Sequence, residues 1–285
     1  MLIAGLDVGG TATKAVLITE SGIKGFADVS ASDSVSSAMG ALGKLILESG
    51  VGVNELSSIA LTGGGANRLP DRLLGVKAEK IDEIEAIGVG GCFLSGRDRA
   101  AVVSIGTGTA VVGAWGEGAC MRVEHLGGTA VGGGTLAGLG RLLLGKSSVD
   151  SVLEMAREGD LARVDLTVGD IVGRGVGMLP PDATASNFGK VGDWTRPVDV
   201  AAGIVNLVGQ VVGTVAVLAA RAAGLEDSIV LVGRLAEEEP VAKTVIHTVE
   251  LFGGRAMVPE NATYATAIGA ARRLLTRVTF PSGPG

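Results

Sequence analysis

The sequence predicts an α/β protein built from two similar halves, on three observations. Each half opens with an apolar strand, a turn rich in glycine and threonine, and a second strand. Segments with helical spacing of apolar residues follow in both halves. A polar segment, Ser95–Arg99, lies between them. We therefore expect one domain over residues 1–98 and a second over 99–285, with the last helix able to pack back on the first domain.

The individual elements follow from local patterns. Short apolar runs bounded by glycine or polar residues predict strands, and apolar residues three and four apart predict helices. The expected strands are Leu2–Leu6, Thr13–Thr19, Gly25–Ser30, Ser57–Leu61, Val76–Ile81, Ala101–Ile105, Ala110–Ala114, Met121–Glu124, Ile229–Val232 and Arg255–Val258. The expected helices are Ser34–Gly50, Glu83–Leu94, Thr135–Leu144, Val149–Arg157, Val200–Ala223, Val241–Leu251 and Thr263–Leu275. Pro181–Gly192 and the residues after Phe280 are expected to be loop.

Composition excludes several classes of protein. With 47% hydrophobic residues and only 8 prolines beside 47 glycines, neither a disordered chain nor a collagen-like repeat fits. The net charge is −6 and the 24 basic residues are scattered, so we expect no nucleic-acid partner. Cys92 and Cys120 lack neighbouring cysteines or histidines, which argues against a metal cluster or a disulfide framework and favours a reducing cytoplasm. The first ten residues lack the pattern of a signal peptide.

One segment is long enough to cross a membrane. Val200–Ala220 contains no charged residue over 21 positions. Asn206, Gln210 and three glycines interrupt it, and a helix that is apolar all round is equally typical of the core of a layered protein. We expect a buried helix and no membrane partner.

The first motif with chemical meaning is Asp7-Val-Gly-Gly-Thr-Ala-Thr-Lys14, directly after a strand. Its glycines allow backbone N–H groups to approach phosphate oxygens, and the hydroxyls of Thr11 and Thr13 add donors. Lys14 adds a positive charge, and Asp7 is placed to hold a hydrated Mg²⁺. We interpret this run as a phosphate and metal site rather than as an ordinary glycine hairpin.

Three further glycine stretches follow strands. Ser104–Thr109 repeats the strand, turn, strand pattern at the equivalent place in the second half, so two opposed hairpins can grip a polyphosphate. Gly127–Thr135 leads into a helix whose first N–H groups would bind an anion, with Thr135 as N-cap. For Thr62–Arg68 the favoured interpretation is structural, namely a loop that lets another segment approach closely.

Phosphoryl transfer to an alcohol needs a carboxylate that accepts the hydroxyl proton. The run Asp82-Glu83-Ile84-Glu85 offers candidates, although acidic residues at a helix start also stabilise the helix dipole. His125 stands just ahead of a glycine stretch and is a candidate site residue. His247 is expected to be a partly buried residue that packs on the inner side of a helix.

Taken together, the pattern resembles the actin-like ATPase and sugar kinase superfamily and, within it, the type II pantothenate kinases. The matching segments are DVGGTATK at 7–14, DEIEA around Glu83, SIGTGT at 104–109, GGTAVGGGT at 127–135, TASNFG at 184–189 and ATAIGA at 265–270. The resemblance implies two RNase H-like domains hinged over a cleft, in a homodimer, with MgATP between two phosphate hairpins. It implies a cytoplasmic, ATP-dependent kinase for the terminal hydroxyl of pantothenate in coenzyme A biosynthesis, with coenzyme A or acyl-CoA as a candidate regulator.

The resemblance also implies roles for single residues. Glu83 would be the catalytic base, and Asp7 would hold Mg²⁺. The expected nucleotide contacts are Asp7, Val8, Gly9, Gly10, Thr11, Ala12, Thr13, Lys14, Gly106, Thr107, Gly108, Gly133, Gly134, Thr135 and Arg234. The expected substrate contacts are Ser104, Thr107, Arg122 and His125, of which His125 is also a candidate catalytic residue.

Departures from the family pattern leave alternatives open. The family usually has an arginine where His125 stands, and a neutral imidazole does not replace a permanent forked cation. Either Arg122 reaches the site, His125 works differently, or the acceptor is pantetheine or another hydroxyl compound. The adenine-side loop carries Arg234 where small polar residues are common. Two alternatives lack kinase activity: an ATPase activator with an iron–sulfur cluster, for which Cys92 and Cys120 offer thiols, and an ATP and acyl-CoA sensor.

Overall fold

The computed structural model describes residues 1–146 and 148–279. Within these ranges the chain forms two large β-sheets, one small two-stranded sheet, and helices that pack on the sheet faces. The α/β class expected from the sequence is confirmed. The loop expected after Phe280 lies outside the described residues.

The first half contains a six-stranded sheet. Its strands are β1 Ile3–Val8, β2 Ala12–Thr19, β3 Gly22–Ser30, β4 Ser58–Thr62, β5 Arg72–Leu73 and β6 Val76–Lys80, and its helices are α1 Ser34–Ser49 and α2 Glu83–Ser95. The strand order is β3-β2-β1-β4-β6-β5. Strands β1, β2 and β3 form an antiparallel meander, whereas β4 and β6 continue the sheet parallel to β1. The carboxyl ends of β1, β4 and β6 therefore meet at one edge of the sheet.

The second half contains a five-stranded sheet with the order β13-β12-β7-β8-β9. Its elements in chain order are β7 Arg99–Ile105, β8 Thr109–Trp115, β9 Arg122–Thr129, α3 Gly133–Leu144, α4 Val149–Ala156, β10 Leu166–Thr167, α5 Val168–Val172, β11 Thr184–Ser186, α6 Pro197–Ala222, β12 Ile229–Val232, α7 Glu239–Leu251, β13 Ala256–Met257 and α8 Ala265–Thr279. Strands β7, β8 and β9 are antiparallel, and β12 and β13 run parallel to β7. The second sheet thus repeats the topology of the first, with β7 in the place of β1 and β12 in the place of β4.

Helices α2 and α8 cross where the two halves meet. A side chain at Gly90 of α2 would overlap the backbone of Ala265, and one at Gly269 of α8 would overlap the backbone of Ala86. Glycine at both positions therefore allows the two helix backbones to touch. Helix α8 also packs on the first sheet, because Gly5 of β1 lies against the carbonyl oxygen of Ala267.

Helix α6 is the uncharged segment noted in the sequence. Among the described residues it is the one helix long and apolar enough to cross a membrane, and 67% of its most hydrophobic window is buried inside the protein. Ile204, Val208 and Val212 pack in the core beneath the second sheet. The expectation of a buried core helix is confirmed.

Several local expectations are wrong. Strand β9 continues to Thr129, so Gly127 and Gly128 pair with Val111 and Ala110 instead of forming a loop. The segment 181–192, expected to be loop, contains β11, which pairs with β10. His247 is exposed on α7 instead of packed. The short elements β5, β10 and α5 have too few residues to show a periodic pattern and were not expected.

Candidate active site

The first glycine turn joins β1 to β2 and leaves Gly10 and Thr11 exposed at its tip. Asp7 and Lys14 face each other across the two strands, and the Nζ atom of Lys14 lies 3.8 Å from Oδ2 of Asp7. Burial raises the pKa of the Asp7 carboxyl, and the positive charge of Lys14 opposes that shift. The hairpin therefore holds a desolvated carboxylate beside a compensating ammonium group.

The hydroxyl of Thr13 does not face this site. Thr13 pairs with Val8, and cross-strand partners project from the same face of a sheet. Val8 packs in the cluster formed with Leu42 and Leu45 of α1, and Thr13 is fully buried. The side chains of Thr13 and Val8 therefore point into the core beneath α1, so the expected hydroxyl donor at Thr13 is wrong, whereas a nucleotide contact through the backbone of Val8 stays a prediction.

The second turn, between β7 and β8, is held by the start of α3. The N–H groups of Gly133 and Gly134 donate to the carbonyl oxygens of Gly106 and Thr107, each at 2.8 Å. These two N–H groups are thus occupied by the hairpin, and the expectation that they are free for an anion is wrong. Thr135 is not the N-cap: Gly132 is, and the Thr135 hydroxyl donates to the carbonyl oxygen of Ala130 at 3.2 Å.

The two glycine turns meet in space. The Oγ1 atoms of Thr11 and Thr107 lie 3.4 Å apart although 96 residues separate them in the chain. Both side chains reach solvent. Two hydroxyl groups at this distance can donate to the same anionic oxygen, which is the arrangement expected of a shared phosphate site.

Glu83 is the first residue of α2, directly after the carboxyl end of β6. Asp82 caps the helix, since its Oδ1 accepts the N–H of Glu85 at 3.0 Å. Glu83 is exposed at the surface of the protein, yet partial desolvation raises its pKa, the negative charges of Asp7 and Asp82 raise it further, and Lys14 opposes the shift. The carboxyl group of Glu83 therefore senses the charges of Asp7 and Lys14, and its pKa is shifted upward, the direction that suits a general base.

His125 and Arg122 lie on opposite faces of β9. His125 pairs with Val112, which packs on α2 through Ile87, so the imidazole is on the face of the sheet that α2 covers. Arg122 pairs with Trp115, stacks 5.0 Å above its ring and forms an ion pair with Glu124. The guanidinium group of Arg122 is thus engaged by Trp115 and Glu124, although Arg122 also borders an open cavity that Asp82 and Glu85 of the α2 start help to line.

Arg234 follows β12 in a short 3₁₀ turn beside the start of α3. Its neighbour Leu235 approaches Gly133, and the guanidinium group donates to Oδ1 of Asp150 at 2.7 Å. The backbone of this loop therefore borders the second hairpin, whereas the charged end of Arg234 pairs with a carboxylate on α4.

The loop Thr62–Arg68 packs directly on the first hairpin. Gly63 has a φ of 84°, and a Cβ atom there would lie 2.5 Å from Oδ1 of Asp7. The N–H of Gly65 donates to the carbonyl oxygen of Val8 at 2.9 Å. The close approach expected of this loop is thus present, and the loop encloses the Asp7 carboxylate.

Thr62 is a site residue that the sequence reasoning missed. It pairs in register with Asp7, is 1% exposed, and its hydroxyl has no hydrogen-bond partner among the described residues. Its signal in the sequence is its place after an apolar strand, at the start of the glycine stretch Thr62–Arg68, for which the sequence favours a structural role. Which strand lies beside β1 cannot be read from that pattern.

The residues around Asp7 fit a hydrated Mg²⁺. The described residues contain no cluster of three or more metal-binding side chains, as a structural zinc site would need. Mg²⁺ keeps several waters and uses one or two carboxylates together with substrate phosphates. One buried carboxylate beside an unpaired buried hydroxyl matches that requirement.

The two cysteines lie in different surroundings. Cys92 is buried in α2, where burial and the charge of Asp98 raise the pKa of its thiol to about 11, and Cys120 is exposed in a 3₁₀ turn. A thiol with a raised pKa is a poor metal ligand because the thiolate form binds metal.

The duplicated sheets and the paired hairpins define the class of protein. The chain matches component A of (R)-2-hydroxyglutaryl-CoA dehydratase from Acidaminococcus fermentans with a TM-score of 0.71 at 18% identity, over 98% of this chain and 100% of that chain. It matches ROK hexokinase from Thermus thermophilus with a TM-score of 0.58 at 15% identity, over 95% and 97% of the two chains. At these identities the likeness shows the fold alone, which is the actin-like ATPase fold.

Sequence similarity identifies the family. Residues 100–273 match the Fumble family model. The chain is 31% identical over 222 residues to a type II pantothenate kinase of Oceanobacillus iheyensis, covering 75% of this chain and 81% of that protein. It is 30% identical over 228 residues to one of Staphylococcus haemolyticus, covering 76% and 83%. The chain belongs to the type II pantothenate kinase family and is a phosphotransferase.

Proposed function

We propose that this protein transfers the γ-phosphoryl group of ATP to the terminal hydroxyl of pantothenate, yielding 4′-phosphopantothenate and ADP on the route to coenzyme A. The observation that carries the proposal is the meeting of the Thr11 and Thr107 hydroxyls beside Asp7, Lys14 and Glu83. The relatives named type II pantothenate kinase support the choice of acceptor.

The two hairpins hold the phosphates of ATP. Backbone N–H groups at the exposed turns and the hydroxyls of Thr11 and Thr107 donate to phosphate oxygens, and Lys14 supplies a positive charge. Asp7 would hold Mg²⁺, which when bound would neutralise phosphate charge. Because α3 fixes the second turn through Gly133 and Gly134, that turn is rigid before the nucleotide arrives.

Glu83 acts as the general base. Its carboxylate accepts the proton of the acceptor hydroxyl as the new bond from oxygen to the γ-phosphorus forms and the bond to ADP breaks. Since the pKa of Glu83 is raised, its carboxylate is a stronger base than an exposed glutamate. Activity is lost as the pH falls through that raised pKa, because protonated Glu83 accepts no proton.

The acceptor lies on the α2 side of β9, where His125 projects. An open cavity of about 410 Å³ lies beside the start of α2, with Asp82, Glu85, Arg122, Val123 and Arg273 among its walls. His125 stands where the family usually has arginine, and a neutral imidazole binds a carboxylate less strongly than a guanidinium group. Because pantetheine lacks the carboxylate, the histidine at this position keeps pantetheine as the second candidate acceptor.

Measuring ADP release with pantothenate, pantetheine and several sugars side by side tests the proposal. Pantothenate should give the highest kcat/KM. Turnover of pantetheine alone would assign the second acceptor, and turnover of a sugar alone would reject both. Replacing His125 with arginine should lower the KM for pantothenate and leave that for pantetheine unchanged, if the imidazole faces the acceptor carboxylate.

The remaining parts of the proposal concern the protein in the cell. We propose a homodimer in the cytoplasm, regulated by coenzyme A or its thioesters. Sedimentation equilibrium gives the oligomeric state, and kinase assays with added acetyl-CoA test the regulation.

A further inference from the structure

Thr62 presents an unpaired hydroxyl group beside the Asp7 carboxylate. The residue ends β4, is 1% exposed and pairs in parallel register with Asp7 of β1. Residues paired in this way project from the same face of the sheet. Buried hydroxyls ordinarily have a hydrogen-bond partner, yet this one has none among the described residues.

The position of β4 in the sheet places Thr62 between the two carboxylates of the site. Strand β4 lies between β1, which carries Asp7, and β6, which leads to Glu83. After β6, the N–H of Ile81 donates to the carbonyl oxygen of Leu61 at 2.8 Å, so the chain entering α2 runs beside the end of β4. Thr62 therefore lies next to Asp7 on one side and next to the segment preceding Glu83 on the other.

The second half shows that the fold does not need this hydroxyl. Val232 ends β12, pairs in parallel register with Ser104 of β7, and is fully buried. Gly233, which follows Val232, lies against the backbone of Ile105 with a φ of 91°, just as Gly63 lies against Val8 with a φ of 84°. Valine and threonine have nearly the same shape. The second half thus fills the position of Thr62 with Val232, which has no hydroxyl, and the residue beside it is Ser104 instead of a carboxylate.

We propose that Thr62 is a positioning residue for the divalent cation that Asp7 holds, with its hydroxyl bonded to a water of the cation's hydration shell. The inference rests on the proposed function, because the cation arrives as its complex with the nucleotide. A bound Mg²⁺ retains several waters, and residues that hydrogen-bond such waters orient the ion. Such contacts typically change metal affinity by about 10- to 100-fold.

Binding of Mn²⁺ in the presence of saturating ADP tests this role, with free Mn²⁺ measured by electron paramagnetic resonance on the full chain. Thr62→Val should weaken Mn²⁺ binding by about tenfold or more. Thr62→Ser, which keeps the hydroxyl, should stay within about twofold of the unsubstituted protein. The affinity for ADP without metal should be the same in all of these proteins.

Thr13→Val is the matched control. Thr13 is the other buried hydroxyl without a partner among the described residues, and it lies in the same sheet but faces the core beneath α1. Its loss should leave Mn²⁺ binding unchanged. Should valine at position 62 prevent folding, as judged by thermal melting, Thr62→Ala removes the same hydroxyl and is measured in its place.

Unchanged Mn²⁺ affinity in Thr62→Val, or an equal loss in Thr13→Val, would overturn the proposal. So would the absence of Mn²⁺ binding that depends on ADP. The proposed acceptor fails separately: a protein that binds Mn²⁺ with ADP but does not phosphorylate pantothenate rejects the acceptor and retains the role of Thr62.

Discussion

The two halves share one topology but differ in their charged residues. Asp7 and Lys14 face each other in the first hairpin, whereas the corresponding pair in the second is Ser104 and Ala110. At the end of the neighbouring parallel strand, Thr62 corresponds to Val232.

The helices extend this correspondence to Glu83. Gly90 of α2 and Gly269 of α8 contact each other's helix in a reciprocal way. Glu83 lies seven residues before Gly90, and Ala262 lies seven residues before Gly269. Ala262, which is fully buried, therefore corresponds in the second half to Glu83.

In the proposed mechanism, this difference means that the fold is repeated while the acid–base and metal chemistry belongs to one half. Both halves keep the glycine turns, which the proposal assigns to the phosphates of one nucleotide. The second half instead fixes its turn with hydrogen bonds from α3. Substitutions at corresponding positions should therefore have unequal consequences.

Replacing Glu83 with glutamine should have the largest effect on catalysis. The amide cannot accept the acceptor's proton, so kcat should fall by about 10² to 10⁴, while the Kd for ATP should stay within about twofold. Glu48→Gln removes an exposed carboxylate of α1 and serves as the control in the same assay. Near-normal turnover of Glu83→Gln would show that the first half does not supply the base.

Asp7→Asn should lower Mn²⁺ affinity in the presence of ADP by at least about tenfold, because the amide is a weaker ligand for a hard cation. Ser104→Ala, at the corresponding position of the second half, should leave Mn²⁺ affinity within about twofold. Titration calorimetry or paramagnetic resonance measures both. Equal losses in the two variants would contradict the assignment of the metal to the first half alone.

Asp82→Asn should move the acid limb of the pH profile of kcat/KM to lower pH. The charge of Asp82 contributes to the raised pKa of Glu83, and asparagine is an equally good helix cap that removes this charge. Because Glu83 must be ionised to act, a lower pKa preserves activity at lower pH. Asp71→Asn, at an exposed carboxylate, should leave the profile unchanged, and an unmoved profile in Asp82→Asn would argue against Glu83 as the titrating base.

Val232→Thr should change stability and leave catalysis unchanged, which is the smallest functional effect. A hydroxyl placed in this fully buried position has no hydration and should lower the free energy of unfolding by about 1–3 kcal/mol. Urea unfolding measures the change, and ADP release measures activity. A large loss of kcat would show that the second half contributes more to the chemistry than its residues suggest.

Strong local patterns in the sequence predicted most of the fold. Helix α1 begins at Ser34 after the cap Asp33 and ends before Gly50, close to the expected limits, because caps and apolar spacing are local signals. The sequence predicts an end of β9 at Glu124, which is too early. Gly127 and Gly128 are typical of turns, and only their pairing with β8 makes them part of the strand. In the site, the motif containing Asp7 and the acidic start of α2 were both visible in the sequence.

The sequence by itself determined the two glycine hairpins, the acidic start of α2 and the resemblance to the family, since each depends on neighbouring residues. The tertiary structure decided which side chains of those motifs reach the site. Strand alternation and helix coverage direct Thr13 into the core and Arg122 towards Trp115. Only strand pairing brings Thr62 beside Asp7, and only the meeting of the two halves brings Thr11 to Thr107. These contacts join residues that are distant in the chain, so no local pattern encodes them.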